Sequence, residues 1–328
     1  MSMETSMQRV LRSLLASTLA LGCGLAAAQA YPSKPVRLIV PYAPGGATDI
    51  IARAAAIELS KTLGQAVTVD NRAGAGGNLG SEMAARSAPD GYTMVMSASS
   101  LHGITPFLYS KLNYDPNKDL VPVIVFASFA NVLVVNPGVA ASSVQELTAL
   151  AKAQPGKLTC ASSGSGSTIH MSCEMYKSML GLDITHIPYK GSGPAVTDLM
   201  GGQVNLMFDN IPSAISHIRS GKLRALATTG PKRAVALPEL PTMIEAGVPG
   251  YESTAWFGLA MPAGTPREII VRMNAEGQKA AKAPDFVKRM TDLGYEIVGG
   301  TPEQMAAMIQ DEIKRWGPIV KASGAKVD

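Results

Sequence analysis

The chain has 328 residues, of which 46% are hydrophobic and 16% charged, and carries a net charge of +4. At roughly 100–200 residues per domain, this length points to two domains, each with enough chain to bury a core. The mild basic excess comes without any basic cluster interleaved with aromatics, which excludes a nucleic-acid surface. Glycine (32) and proline (22) are plentiful and aromatics scarce at 5%, a balance that favours many short strand–loop–helix transitions over a long bundle.

The N-terminus reads as an export signal. Arg9 and Arg12 precede an almost uncharged apolar run from Leu14 to Leu25, and Ala28-Gln29-Ala30 supplies the small-x-small pattern of a cleavage site. The run is too short for a comfortable membrane span. Cleavage after Ala30 is expected, and losing Arg9, Arg12 and Glu4 lowers the net charge from +4 to +3. Cys23 offers a lipoprotein alternative, although Ala20 stands where a lipobox usually has Leu. No later segment is apolar enough to span a membrane, so a soluble protein in an oxidising compartment is expected. Its two remaining cysteines, Cys160 and Cys173, read equally as a disulfide or as two buried thiols.

Strands and helices then alternate. Val36–Pro41 reads as a strand, followed by a Gly-rich loop and a helix from Thr48 to Leu63 stopped by Gly64. Val67–Val69 and Tyr92–Ser97 are short strands, and the apolar stretch Val123–Val135 reads as a strand, a crossing and a second strand. Ser143-x-x-Glu146 is a capping box opening a helix to Ala153. A strand at Leu158–Ala161 leads through a Ser/Gly loop into a helix ending at Leu180 before Gly181. Strands at Ile184–Pro188 and Val204–Phe208 flank a short helix after Pro194. A helix at Ile211–Ser220, strands at Leu223–Thr228 and Trp256–Met261, and three helical segments reaching Val320 complete the chain. This alternation predicts a two-lobed α/β protein, each lobe a mostly parallel sheet flanked by helices. With no low-complexity linker, the lobes are joined by crossing hinge strands near Ser128–Val132 and Gly250–Thr254. Lobe 1 is then residues 31–128 plus 252–328, and lobe 2 residues 129–251.

Four loops share one logic, since each follows a strand and lies at or near a helix N-terminus, where open α/β sheets collect ligands and where helix N–H groups attract anions. The first is Pro41-Tyr42-Ala43-Pro44-Gly45-Gly46-Ala47-Thr48-Asp49, with Thr48 or Asp49 available to cap the helix. The second, Arg72 to Gly80, superficially resembles a dinucleotide fingerprint, but Leu79 occupies the final glycine position; it reads as an anion-facing turn with Asn78 offering an amide. The third, Ala161 to Thr168, concentrates the hydroxyls of Ser162, Ser163, Ser165, Ser167 and Thr168, chemistry suited to a carboxylate held without a fixed counter-charge. The fourth, Pro188-Tyr189-Lys190-Gly191-Ser192-Gly193-Pro194, leads to Asp209 at the end of the next strand. Asp209 reads as orienting a neighbouring loop, binding an ammonium group, or capping the helix near Ile211.

The stretches VPYAPGGATDIIAR, VDNRAGAGGNLG, LVVNPGV, QPGKLTCASSGSGSTIHMSCEM, IPYKGSGPAVTDLMGGQVNLMFDN and LRALATTGPKR, in that order, resemble the substrate-binding proteins of tripartite tricarboxylate transporters, the Bug (Bordetella uptake) family. The resemblance implies a type II-like periplasmic binding fold that closes over a ligand. It further implies carboxylate capture by main-chain amides, hydroxyls and ordered water at the first loop, and delivery to membrane permease subunits. It carries binding roles onto Gly46, Ala47, Thr48, Asp49, Asn78, Ser162, Ser165, Ser167, Thr168 and Asp209. Tyr42, Ser99 and Tyr189, in or beside the same motifs, complete the expected ligand-binding set. Tyr42 replaces the usual Phe, Cys160 the usual Tyr, and Ser97 to His102 departs from a Gly/Thr-rich form.

No catalytic residue, metal or cofactor is expected, and a monomer is. Ser165 lies between two glycines, but no Gly-x-Ser-x-Gly elbow surrounds it. His102, His170, His186 and His217 form no His-Glu-x-x-His motif, and His170 with Glu174 reads as structural. The alternatives to transport are a ligand sensor for a membrane receptor and a secreted serine hydrolase. The ligand is open among aliphatic di- or tricarboxylates, aromatic carboxylates, acidic amino acids and neutral nicotinic-type compounds.

Overall fold

A computed structural model describes residues 31–327; the export signal expected up to Ala30, and Cys23 within it, lie outside the described residues. The account below concerns the compact unit from Lys34 onward.

The apolar run Val36–Val40 (β1) is buried and pairs in parallel with Val67–Asn71 (β2) and Thr93–Ala98 (β3). The helix Ala47–Leu63 (α1) connects β1 to β2 and stops at Gly64, which takes the left-handed conformation that glycine adopts without cost. Leu120–Val135 (β4) is one continuous strand of 16 residues where two strands and a crossing were expected. What changes along it is the partner. Leu120 to Ala130 pairs antiparallel with Thr254–Pro262 (β9), and Asn131 to Val135 pairs with Leu206–Asn210 (β7) and Arg224–Thr228 (β8). Thr159–Ser162 (β5) and Thr185–Pro188 (β6) complete the second half of the sheet in parallel, and Glu296–Gly299 (β10) pairs with the first half of β4.

The two-part α/β architecture follows the alternation read from the sequence, but parallel pairing is narrower than expected. It is confined to β1–β3 and β5–β7, whereas every ladder made by β4 or β9 is antiparallel. The reason is connectivity: β–α–β crossovers generate the parallel sets, while β4 and β9 carry the chain past the edges of both.

The period of two in β4 places helices on both faces. Leu133 and Val135 join one buried cluster with Cys160, Tyr176 and Phe208; Val132 and Val134 join another with Ala161, Met207 and Ile215. Cys160 on β5 and Cys173 on the helix Thr168–Leu180 form a disulfide, which resolves the alternative left open by the sequence. Ser143 caps the helix Val144–Ala153, accepting the Glu146 N–H, but the Glu146 carboxylate turns to Ser142 and leaves the expected box half made. No helix among the described residues is long and apolar enough to cross a membrane.

Candidate functional site

Loops from both halves of the sheet meet around a small cavity. From the first half come Tyr42, then Gly46, Ala47 and Thr48 at the start of α1, then Ala98, Ser99 and Ser100 where β3 ends, and Ala255 and Phe257 on β9. From the second half come Ser163, Ser167 and Thr168 after β5, Ser192 at the start of the helix Ser192–Met200, and Asn210 at the end of β7. Free space amounts to about 20 Å³, on the scale of one water molecule.

None of the described residues lining this cavity is charged. The polarity comes from hydroxyls and helix ends. Helices of 17, 13, 9 and 9 residues, beginning at Ala47, Thr168, Ser192 and Ile211, all start at this place. Gly46, the N-cap of α1, has no side chain to occupy the first-turn amides. Each such N-terminus favours an anion by about 0.3–1 kcal/mol, more when shielded from water. Apolar surface from Phe257, Ala255 and Ala98 lines the remainder.

Of the thirteen residues expected at the site, Tyr42, Gly46, Ala47, Thr48, Ser99, Ser167 and Thr168 line the cavity. The other six stand behind it. Asp49 does not cap α1; its carboxylate accepts from Gly45 N (3.1 Å), Arg53 Nε (2.9 Å) and Asn71 Nδ2 (3.0 Å). Burial pushes its pKa up, but the hydrogen bonds from Arg53, Asn71 and Gly45 outweigh that and leave it below the usual value. Asn78 is turned into its own loop, donating to Ala75 O at 2.9 Å and accepting from the Tyr114 hydroxyl at 3.1 Å. Ser162 is fully buried and bonds His186 Nε2 at 2.6 Å. Ser165 presents its carbonyl to the Tyr109 hydroxyl (3.0 Å), and Tyr189 donates to Asp198 (2.8 Å).

Asp209 is buried and receives the hydroxyls of Ser192 and Ser213, the latter at 2.7 Å. Burial raises its pKa to about 6, although both hydroxyls and the Asn210 N–H oppose the shift. Of the three roles open to it in the sequence, the geometry matches the orienting of a neighbouring loop: Asp209 fixes Ser192, and Asn210, not Asp209, is the N-cap of the following helix.

The serine loop is braced from below. His170 and His186 stack with centroids 4.0 Å apart, and His170 Nδ1 accepts from Gly166 N at 3.2 Å. Burial lowers their pKa values to about 4 and about 3, so both are neutral at pH 7. The close pair Ser162 and His186 does not line the cavity, which separates it from any reacting group there.

The sequence reading missed Ala98, Ser100, Ser163, Ser192, Asn210, Ala255 and Phe257. Ser163 and Ser192 lie within the third and fourth motif loops, beside residues expected to bind. Ala255 and Phe257 share one face of β9, a period-two signal, but nothing local to that strand says what the face meets. Asn210 also reaches inward: its Nδ2 donates to Asn131 Oδ1 (2.7 Å), and Asn131 donates to Ser172 (3.0 Å), which donates to Ser253 (2.8 Å). The cavity wall is thus bonded to the residue at which β4 changes partners.

Comparison with known proteins gives a consistent result. A family model described as the tripartite tricarboxylate transporter family receptor (TctC) matches residues 51–325. The protein BugT of Bordetella pertussis is 42% identical over 92% of this chain and 92% of its own. Among solved structures, Rpa4515 of R. palustris with adipate superposes with a TM-score of 0.88 at 38% identity, covering 90% of this chain and 100% of that one. MatC (Rpa3494) from Rhodopseudomonas palustris with bound malate gives 0.86 at 35%, covering 88% and 100%.

Proposed function

The chain belongs to the tripartite tricarboxylate transporter receptor family, a family of solute-binding receptors and not of enzymes, and we propose that it captures a small organic carboxylate in the cavity between Thr48 and Thr168. The observation that carries this reading is the convergence of four helix N-termini on a hydroxyl-lined cavity without a charged lining residue. A carboxylate placed there accepts main-chain N–H and side-chain O–H bonds, and its charge is balanced by helix dipoles, so no desolvated counter-ion is needed. The hydrocarbon part of the ligand packs on Phe257 and Ala255. The adipate and malate of the two structural relatives fit this chemistry.

The ligand-binding set is Tyr42, Gly46, Ala47, Thr48, Ser99, Ser167 and Thr168, joined by Ser100, Ser163, Ser192 and Asn210. Asp49, Asn78, Ser162, Ser165, Tyr189 and Asp209 act as supports for the loops that present it. The chain works as two lobes, residues 31–128 with 252–328 and residues 129–251, a division supported by β4, which passes from one set of partners to the other between Ala130 and Asn131, two residues past that boundary. About 20 Å³ cannot admit an organic acid, so loading needs the lobes to part, and the ligand's contacts with both lobes then favour closure. The mature protein, exported and cleaved after Ala30, delivers its ligand in the periplasm to permease subunits of a tripartite transporter.

A thermal-shift screen of the mature protein against adipate, malate, benzoate, glutamate and nicotinate tests the ligand class, since a ligand of the native state raises the melting temperature. At least one carboxylate should do so and compact the protein in solution scattering; a screen in which none does removes the reading. Thr48→Ala with Thr168→Ala should weaken that ligand about tenfold, at about 0.5–1.5 kcal/mol per hydrogen bond, while Ser165→Ala leaves it unchanged.

A further inference from the structure

The cavity is flanked by two places where main chain from one half meets main chain from the other with no side chain between them. Beside Ser192, the Ala43 N–H donates to the Lys190 carbonyl at 2.9 Å, and Gly193 lies against the Pro44 carbonyl. At the other side, Gly76 faces the Ser165 carbonyl, which also receives the Tyr109 hydroxyl at 3.0 Å, and a side chain at Gly164 would come within 3.0 Å of the Gly76 Cα. A Cβ on Gly193 or on Gly76 would fall closer to the facing carbonyl oxygen than real Cβ atoms come to any neighbour.

The two glycines differ in what else explains them. Gly76 has φ of +63°, a left-handed backbone that favours glycine on its own account. Gly193 is the second residue of the helix Ser192–Met200 and does not have a positive φ. In a helix, alanine is the better residue there by propensity alone. The steric reason for glycine at this position is therefore the Pro44 carbonyl of the opposite half. Neither Gly193 nor Pro44, Ala43, Lys190, Gly76 or Tyr109 lines the cavity.

We propose that these contacts are a closure clasp, in which Gly193 against Pro44 and the Tyr109 hydroxyl on Ser165 set how far the two halves shut and so position both walls of the cavity around a ligand they do not touch. The inference rests on the two-lobed reading above and deepens it. Removing the room at Gly193 blocks closure from outside the site. Removing the Tyr109 hydroxyl weakens closure without any steric change.

The Ala43 amide bonds across the boundary and reports closure directly, so hydrogen exchange there, in mature protein without added ligand, tests the clasp independently of which ligand binds. Gly193→Ala should speed exchange of the Ala43 amide at least tenfold, and Tyr109→Phe by about three- to tenfold, the equivalent of one hydrogen bond. Gly201→Ala is the control: it lies at the end of the same helix, where a Cβ would meet nothing nearer than 3.5 Å, and should leave Ala43 unchanged. All three should retain the helical circular dichroism of the parent. Exchange at Ala43 unaltered by either Gly193→Ala or Tyr109→Phe overturns the clasp, as does an equal rise in Gly201→Ala. If Ala43 responds while the carboxylate screen is blank, the clasp stands and the ligand reading fails; the reverse pattern keeps the ligand and removes the clasp.

Discussion

The loop before α1 and the serine loop after β5 present the same chemistry to the cavity, main-chain amides and hydroxyls at a helix start, but they are held in place by different means. Behind the first stands an ionised carboxylate: Asp49 gathers Gly45, Arg53 and Asn71 and ties the loop to β2. Behind the second stand a covalent bridge and two neutral imidazoles, Cys160–Cys173 and His170 on His186. Neither brace puts a charge on the cavity surface. The contrast shows that a charged residue beside a ligand loop can serve the loop and not the ligand, leaving recognition to groups with no net charge.

This contrast predicts that each loop fails under a different insult. Replacing both cysteines by alanine should cost most, about 3 kcal/mol for a loop of this size, read from urea denaturation, and should spare the first loop. Asp49→Ala should cost about 2 kcal/mol by stripping three donors of their shared acceptor, and should weaken ligand binding through the first loop with the disulfide intact. A variant as stable as the parent would show that Asp49 braces nothing.

Acid should reach only the second brace within the range where histidine titrates. The folded pKa values of His170 and His186, about 4 and about 3, lie below the unfolded value of about 6.5. The unfolded chain then binds protons that the folded one refuses, so stability is full above pH 6.5 and falls as pH drops toward 4. Asp209 runs the other way, since its raised pKa makes folding more favourable as pH falls below about 6, and partly offsets the loss. His170 and His186 together, net of Asp209, should cost about 2 kcal/mol between pH 7 and 5, a loss absent in His170→Gln/His186→Gln, while buried His102, its pKa lowered to about 4, adds a separate loss that the variant keeps. A double variant with the parent's pH profile would place the titration elsewhere. The smallest effect belongs to Tyr42→Phe, which removes the hydroxyl's 3.1 Å bond to Gly76 O and should cost under about 1.5 kcal/mol.

Much of this architecture was readable because its signals are local. Gly64 and Gly181 stop helices in the left-handed conformation, as their positions after apolar periodic runs imply. The strands β1, β3 and β7 are short apolar runs bounded by loops. What escaped the sequence depends on distant partners. The four residues of β10 form a strand only because β4 offers a free edge, and the single long β4 was read as two because a change of partner leaves no mark in a continuous apolar run. The same holds at the site. The motif loops were legible as loops, but which side chain in each turns inward was not. Asp49 and Ser162 differ from Thr48 and Ser163 by one residue and face opposite ways, a choice set by Arg53 and His186.

The partner change along β4 also bears on the order in which the protein can assemble. β9 inserts between β3 and β4 although it is made more than a hundred residues after either begins, and β4 then extends without a break into the second half. The sheet of the first half therefore stays open until the chain has passed residue 262, while the second half has all its strands between Asn131 and Thr228 and completes its core with Met243, Val248 and Tyr251, before β9 begins. Non-local pairing of this kind is slow because loop closure precedes any stabilising contact. The middle of the chain is accordingly the natural nucleus, with the outer segments folding onto it last.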